Sequence, residues 1–193
     1  RDDVNIAIWQ RTLDSSMIEA AKLIVESKPL LQFSAIVNPQ SVNNTLSAEL
    51  GSTDATAALT DDIATLVDMF CFLFDLREAG LRIKVLDDAM CPRFHVDKVP
   101  CRLITTYCGI ATEWLPNHLA NRSKLGAGSQ GKPDDESGIF ENKEHIKQLS
   151  IGDVALLKGE HWHKNQGGGI VHRSPKPSDH QKRLLMTLDY LTH

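Results

Sequence analysis

Along the chain, the spacing of apolar residues changes from helix-like to strand-like near residue 80. Met17, Ile18, Ala21, Ile24 and Val25 recur with the period of one helix face. Ser16-x-x-Glu19 has the form of a capping box at the start of that helix, and Pro29 marks its exit. Residues 37–56 are polar and turn-rich, with no clear period. A second helix is predicted where Ile63, Leu66, Val67, Phe70, Leu73 and Phe74 form one stripe. Thr60 is its expected cap, Asp61 and Asp62 suit the positive end of its dipole, and Gly80 is expected to turn left-handed at its end.

From Leu81 the period falls to two. Leu81, Ile83 and Val85 alternate with Arg82 and Lys84, the pattern of a half-buried strand. Further strands are expected at 92–97, 101–108, 146–150, 153–158, 169–173 and 183–191. No helix-length amphipathic segment separates them, which argues against a parallel βαβ sheet and for an antiparallel sandwich, barrel or jelly roll. Residues 121–138 interrupt this half with only Leu125 and Ala127 hydrophobic and with four glycines, as in a mobile surface loop or a lid. The 193 residues are read as a single α+β domain, 1–193. It divides into a helical layer over 1–80 and a jelly-roll core over 81–193 that carries the flexible insert 121–138.

Charge narrows the partners. Lys plus Arg number 21 against 25 Asp plus Glu, a net charge of −4, so there is no general attraction for nucleic acid or an anionic membrane. No apolar run approaches the length of a membrane span. The four cysteines form no CxxC pair and read as reduced thiols in a cytoplasmic protein, and no signal peptide is visible.

Candidate chemistry begins at Cys91-Pro-Arg-Phe-His-Val-Asp97. His95 and Asp97 lie two apart, so on a strand an imidazole and a carboxylate share one face and can share one metal. Such a pair arises easily by chance, and its weight comes from the order of features downstream in the chain. Gly152-Asp153 reads as a tight turn feeding a buried strand. A Gly-rich approach then leads to His172-Arg-Ser-Pro175, and Arg183 opens the last strand. A hairpin between those strands can set His172 and Arg183 beside one pocket.

This order resembles that of the iron(II)/2-oxoglutarate oxygenases, which share a double-stranded β-helix. The resemblance implies a cupin-like jelly roll with an N-terminal helical layer, and His95, Asp97 and His172 as a facial triad of metal ligands. It also implies Arg183 as the fork for the far carboxylate of 2-oxoglutarate and Tyr107 as a hydroxyl donor to the same cosubstrate. In many such enzymes the residue two after the arginine is polar, whereas here it is Leu185.

More closely, the chain resembles the bacterial domain-of-unknown-function family 1826. The carrying segments are Phe94-His-Val-Asp97, Arg102-Leu-Ile-Thr-Thr-Tyr107, Thr112-Glu-Trp-Leu-Pro116, Gly152-Asp-Val-Ala-Leu-Leu-Lys-Gly-Glu160 and His172-Arg-Ser-Pro175. That family's setting near zinc-homeostasis genes implies an alternative, a non-catalytic zinc-binding protein on the same scaffold. A metal-dependent enzyme without 2-oxoglutarate is a third reading.

Glu113 and Trp114 are candidates for a substrate pocket, and Arg102 and Arg173 for anion binding. His161-x-His163 is a rival metal pair. Cys91 shares strand parity with His95 and Asp97, and a thiolate there would favour zinc.

Overall fold

Antiparallel strands and helices build the chain in a computed structural model that describes residues 4–178 and 181–191. The strands are β1 (Ile6–Trp9), β2 (Gln32–Val37), β3 (Ala79–Leu86), β4 (Cys101–Cys108), β5 (Glu113–Leu115), β6 (Lys147–Gln148), β7 (Val154–Lys158), β8 (Val171–Arg173) and β9 (Arg183–Asp189). Six form a major sheet in the order β1-β7-β4-β9-β3-β2, and three form a minor sheet in the order β6-β5-β8. All pairings are antiparallel. The helices are α1 (Ser15–Ser27), α2 (Val42–Leu50), α3 (Asp54–Phe74) and the single turn α4 (Asp134–Ser137). Among the described residues no helix is long and apolar enough to cross a membrane.

Period-two alternation decides what each face of the major sheet touches. Leu184, Met186 and Leu188 of β9 join Leu81, Ile83, Val85 and Leu103 in one core with Ala20, Ala21 and Ile24 of α1 and Leu59, Ile63, Leu66 and Phe70 of α3. On the opposite face Leu185 packs with Ile104, Ala155, Leu157 and Ile170, with Trp114 against them, between the two sheets. Arg183, Thr187 and Asp189 share the face of Leu185, because alternate residues of a strand point the same way.

Several expectations are corrected. The cap of α1 is Asp14, whose carboxylate accepts from the Met17 backbone N–H at 2.8 Å, two positions before the predicted Ser16. Helix α3 starts at Asp54 behind a Thr53/Thr56 capping box, since the buried stripe runs back through Leu59 and Thr56; Thr60 lies inside the helix. Its left-handed terminus is Asp75, at φ 51°, and Gly80 belongs to β3. Residues 37–56 contain α2, which buries only Val42, Leu46 and Leu50, one residue per turn and too thin a stripe to register as a period. The first 80 residues are not a helical layer alone, because they also supply β1 and β2 to the major sheet.

The strand expected at 92–97 reduces to a single bridge between His95 and His172. Pro92 lacks the N–H a ladder needs. Within 121–138 the chain forms short 3-10 turns at Arg122–Lys124 and Gly126–Ser129 and then α4, with Ser129, Asp134 and Ser137 buried.

Candidate metal centre

Main-chain pairing brings the two histidines together. The His95 N–H donates to the His172 carbonyl and the His172 N–H to the His95 carbonyl, both at 3.0 Å, so the rings stand side by side with centroids 4.5 Å apart. Asp97 lies where the chain turns against Gly159. A Cβ at Gly159 would lie 2.0 Å from the Val99 carbonyl oxygen and 2.7 Å from that of Asp97, so only glycine admits this approach.

Each ring is oriented from behind. His95 Nδ1 donates to the Arg93 carbonyl at 3.0 Å and His172 Nδ1 to the Ile170 carbonyl at 3.1 Å. Both Nε2 atoms therefore face the Asp97 carboxylate, at 3.7 Å for His95 and 3.3 Å for His172. Backbone acceptors of this kind select the Nε2-ligating tautomer in metal sites. The donor atoms of His95, Asp97 and His172 all lie within 4.8 Å of one another, the only such group among the described residues.

With Nδ1 protonated, each Nε2 either takes a proton and donates to Asp97 or gives its lone pair to a cation, so this donor set fits a divalent metal. Burial and the neighbouring His172 lower His95 from 6.5, favouring its neutral, ligating form. Burial would raise Asp97, but the hydrogen bond and charge of His172, with Arg102 and His95, hold it down at about 2.

Arg183 occupies the same cavity, a space of about 70 Å³. Its guanidinium is 1% exposed and has no carboxylate partner among the described residues. It donates instead to Ser174 Oγ at 2.8 Å, Thr112 Oγ1 at 2.6 Å and Thr106 Oγ1 at 3.1 Å, and its Nε has no partner among them. Burial pushes its ionisation down from 12.5 to about 10. A buried, unpaired guanidinium in a cavity wall is suited to a ligand's carboxylate.

The remaining expected residues divide. Arg102 lines the cavity, but it is committed to Asp97 Oδ2 at 2.8 Å and to both oxygens of Asp189, so it positions Asp97. Arg173 also lines the cavity, with its charge met by Glu113 at 2.6 Å and Asp134 at 2.9 Å. Glu113 thus faces Arg173 and is not in the cavity lining. Trp114 stands opposite His172 in β5, packs between the sheets and leaves a buried Nε1 unpartnered among the described residues.

Tyr107 is not brought to the site. It projects into the helix-side core, where its hydroxyl donates to Asp62 at 2.6 Å beside Arg11. Arg102 and Tyr107 are five apart on β4, so they point to opposite faces. His161 and His163 are exposed and join no ligand group among the described residues. Cys91 lines the cavity without joining the donor set.

Sequence reasoning missed Thr106, Thr112 and Ser174. Thr106 stands directly across from Leu185 in the β4–β9 pair. A hydroxyl that accepts from Arg183 therefore stands across the ladder from the apolar residue two positions after that arginine.

This architecture is shared with proteins of known structure. The dioxygenase for auxin oxidation in rice superposes with a TM-score of 0.56 at 12% identity, covering 98% of this chain and 74% of that one. HygX from Streptomyces hygroscopicus, solved with nickel and 2-oxoglutarate bound, superposes with a TM-score of 0.50 at 12% identity, covering 97% of this chain and 83% of that one. The likeness shows that the chain shares the fold of these two proteins. No curated protein matches the chain by sequence. The chain belongs to the family described as "Protein of unknown function (DUF1826)", whose model matches residues 1–189.

Proposed function

We propose that this protein is a non-haem iron(II), 2-oxoglutarate-dependent oxygenase. The observation that carries the reading is Arg183, a buried cation without a counter-charge in the wall of the cavity that holds His95, Asp97 and His172. A zinc site on the same three donors would leave that cation unexplained. The 2-oxoglutarate bound to HygX, a protein of the same fold, agrees with an oxygenase.

In this reading His95, Asp97 and His172 would hold the metal. When bound, iron(II) and 2-oxoglutarate supply the reduction of O2, coupled to release of succinate and CO2 and to oxidation of a substrate. Arg102 engages Asp97 Oδ2, so the carboxylate stays ionised, while Oδ1 is left to the His95 side. The Arg93 and Ile170 carbonyls fix the imidazole tautomers. Arg183, held by Thr106, Thr112 and Ser174, binds the far carboxylate as a fork. Ile104 and Leu185 form an apolar wall that excludes water from this end.

The test is an anaerobic titration of metal-free protein with iron(II) and 2-oxoglutarate, monitored through the visible charge-transfer band of the chelate. A band should form in the native protein, and His95→Ala should lose both the band and succinate production. Succinate production retained in His95→Ala, or tight zinc binding with no band in the native protein, would overturn the assignment.

A further inference from the structure

A second cavity, about 150 Å³, adjoins the metal cavity and is lined by Arg82, Lys84, Met90, Arg102, Leu185 and Thr187. Met90, Arg102, Leu185 and Thr187 line both, so the two spaces share a wall. Strand register explains the neighbourhood. Lys84 lies opposite Leu185 and Arg82 opposite Thr187, so both cationic side chains share the face of Arg183. The three-stranded minor sheet does not reach across all six strands of the major sheet, and Arg82 remains exposed.

Among the described residues, no carboxylate lines this second cavity. Asp189 lies behind it, with its oxygens engaged by Arg82 and Arg102. Of the described residues, Lys84 Nζ meets only the Met90 thioether, at 3.4 Å, and sulfur is a weak acceptor that leaves the ammonium free to donate elsewhere.

Charge across the two cavities points the same way. Their walls carry five cations, Arg82, Lys84, Arg102, Arg173 and Arg183. Four carboxylates answer them: Asp97, Asp189, Glu113 and Asp134. A divalent metal and the 2-oxoglutarate dianion cancel each other, so one positive charge remains after both are bound. With the cosubstrate on Arg183, Lys84 is the cation left without a carboxylate partner among the described residues.

We propose that the second cavity is the substrate's antechamber, and that the substrate is a small molecule bearing an anionic group, a carboxylate or a phosphate, held by Lys84 with Arg82 beside it. The role as substrate site rests on the oxygenase reading, whereas the anion site stands on its own geometry.

Inorganic phosphate, and acetate in a parallel series, would be titrated into the intact protein with zinc(II) and 2-oxoglutarate present. Backbone amide shifts of Ile83–Leu86 and of β9 report the site. Saturable shifts centred on Lys84 are expected, with affinity at least tenfold weaker in Lys84→Met and shifts preserved in Arg183→Met. The stronger of the two anions names the substrate's anionic group. Shifts lost in Arg183→Met but kept in Lys84→Met, or no shifts with either anion, would overturn the proposal. The iron(II)–2-oxoglutarate band, recorded separately, tests the oxygenase reading, so failure of one is distinguishable from failure of the other.

Discussion

Replacing Arg183 with methionine removes a buried cation while keeping much of the side-chain volume. Burial alone lowers this guanidinium from 12.5 to about 10, which corresponds to about 3 kcal/mol against the charged form. That penalty is present in full at neutral pH and is relieved only as the pH rises past about 10. Its three hydrogen bonds to neutral hydroxyls return about 1 kcal/mol each, so the cation contributes close to nothing to the stability of the cosubstrate-free protein. Arg183→Met is therefore expected to change unfolding free energy by less than about 2 kcal/mol. Cosubstrate binding should respond very differently. A fork of two charge-assisted hydrogen bonds is worth about 3–4 kcal/mol, a several-hundred-fold rise in the Kd for 2-oxoglutarate when it is lost. Urea unfolding with and without cosubstrate, together with titration of the visible band, measures both quantities. A destabilisation above about 4 kcal/mol combined with unchanged 2-oxoglutarate affinity would make Arg183 a structural residue and not a cosubstrate fork.

Two further substitutions probe the surroundings. Tyr107→Phe should cost about 1–2 kcal/mol, because Asp62 loses a hydroxyl donor, and should leave 2-oxoglutarate binding unchanged. Burial and Asp62 raise Tyr107 well above 10, so the unfolded chain releases this proton first and stability falls as the pH rises above 10. Unfolding curves between pH 9 and 11 should show a shallower fall in the Phe variant, and an identical slope would contradict the burial argument. Asp134→Asn should loosen the insert, since this carboxylate accepts from the Phe94 N–H at 3.0 Å and from Arg173 at 2.9 Å. Amide exchange over residues 129–138 and at Phe94 should accelerate about fivefold or more, as loss of about 1–3 kcal/mol of anchoring implies, and unchanged protection would show that the anchor lies elsewhere.

How far the fold was legible depended on the strength of each local period. The stripe of α3 and the alternation of β3 were both visible, because each presents a well-populated face to one core. β1 was invisible, since four residues with three exposed side chains carry no alternation. α2 was hidden for a related reason, with one buried residue per turn. Thr60 and Gly80 carried plausible local signals, but packing of Thr56 and Leu59 extended α3 backward and pairing with β9 drew Gly80 into β3.

Strand parity already separates two of the expected site residues. Arg102, Ile104 and Thr106 share one face of β4, whereas Leu103, Thr105 and Tyr107 share the other, so Arg102 and Tyr107 could not both face the cavity. The hydroxyl that Leu185 lacks lies in Thr106, directly across the ladder. Finding it required the β4–β9 register, which no window of sequence contains.

The chemistry available is written locally in the chain: a His-x-Asp pair, a later histidine before a turn, and an arginine at the head of an alternating strand. These are local features, set by residue type and a period of two. Which of them meet is set by long-range packing. The reciprocal main-chain bonds of His95 and His172, the bridge from Asp97 through Arg102 to Asp189, and the three hydroxyls on Arg183 each join residues from separate elements of the fold. Such contacts depend on register and sheet order, which arise from burying both faces of the major sheet at once rather than from the preferences of any single segment.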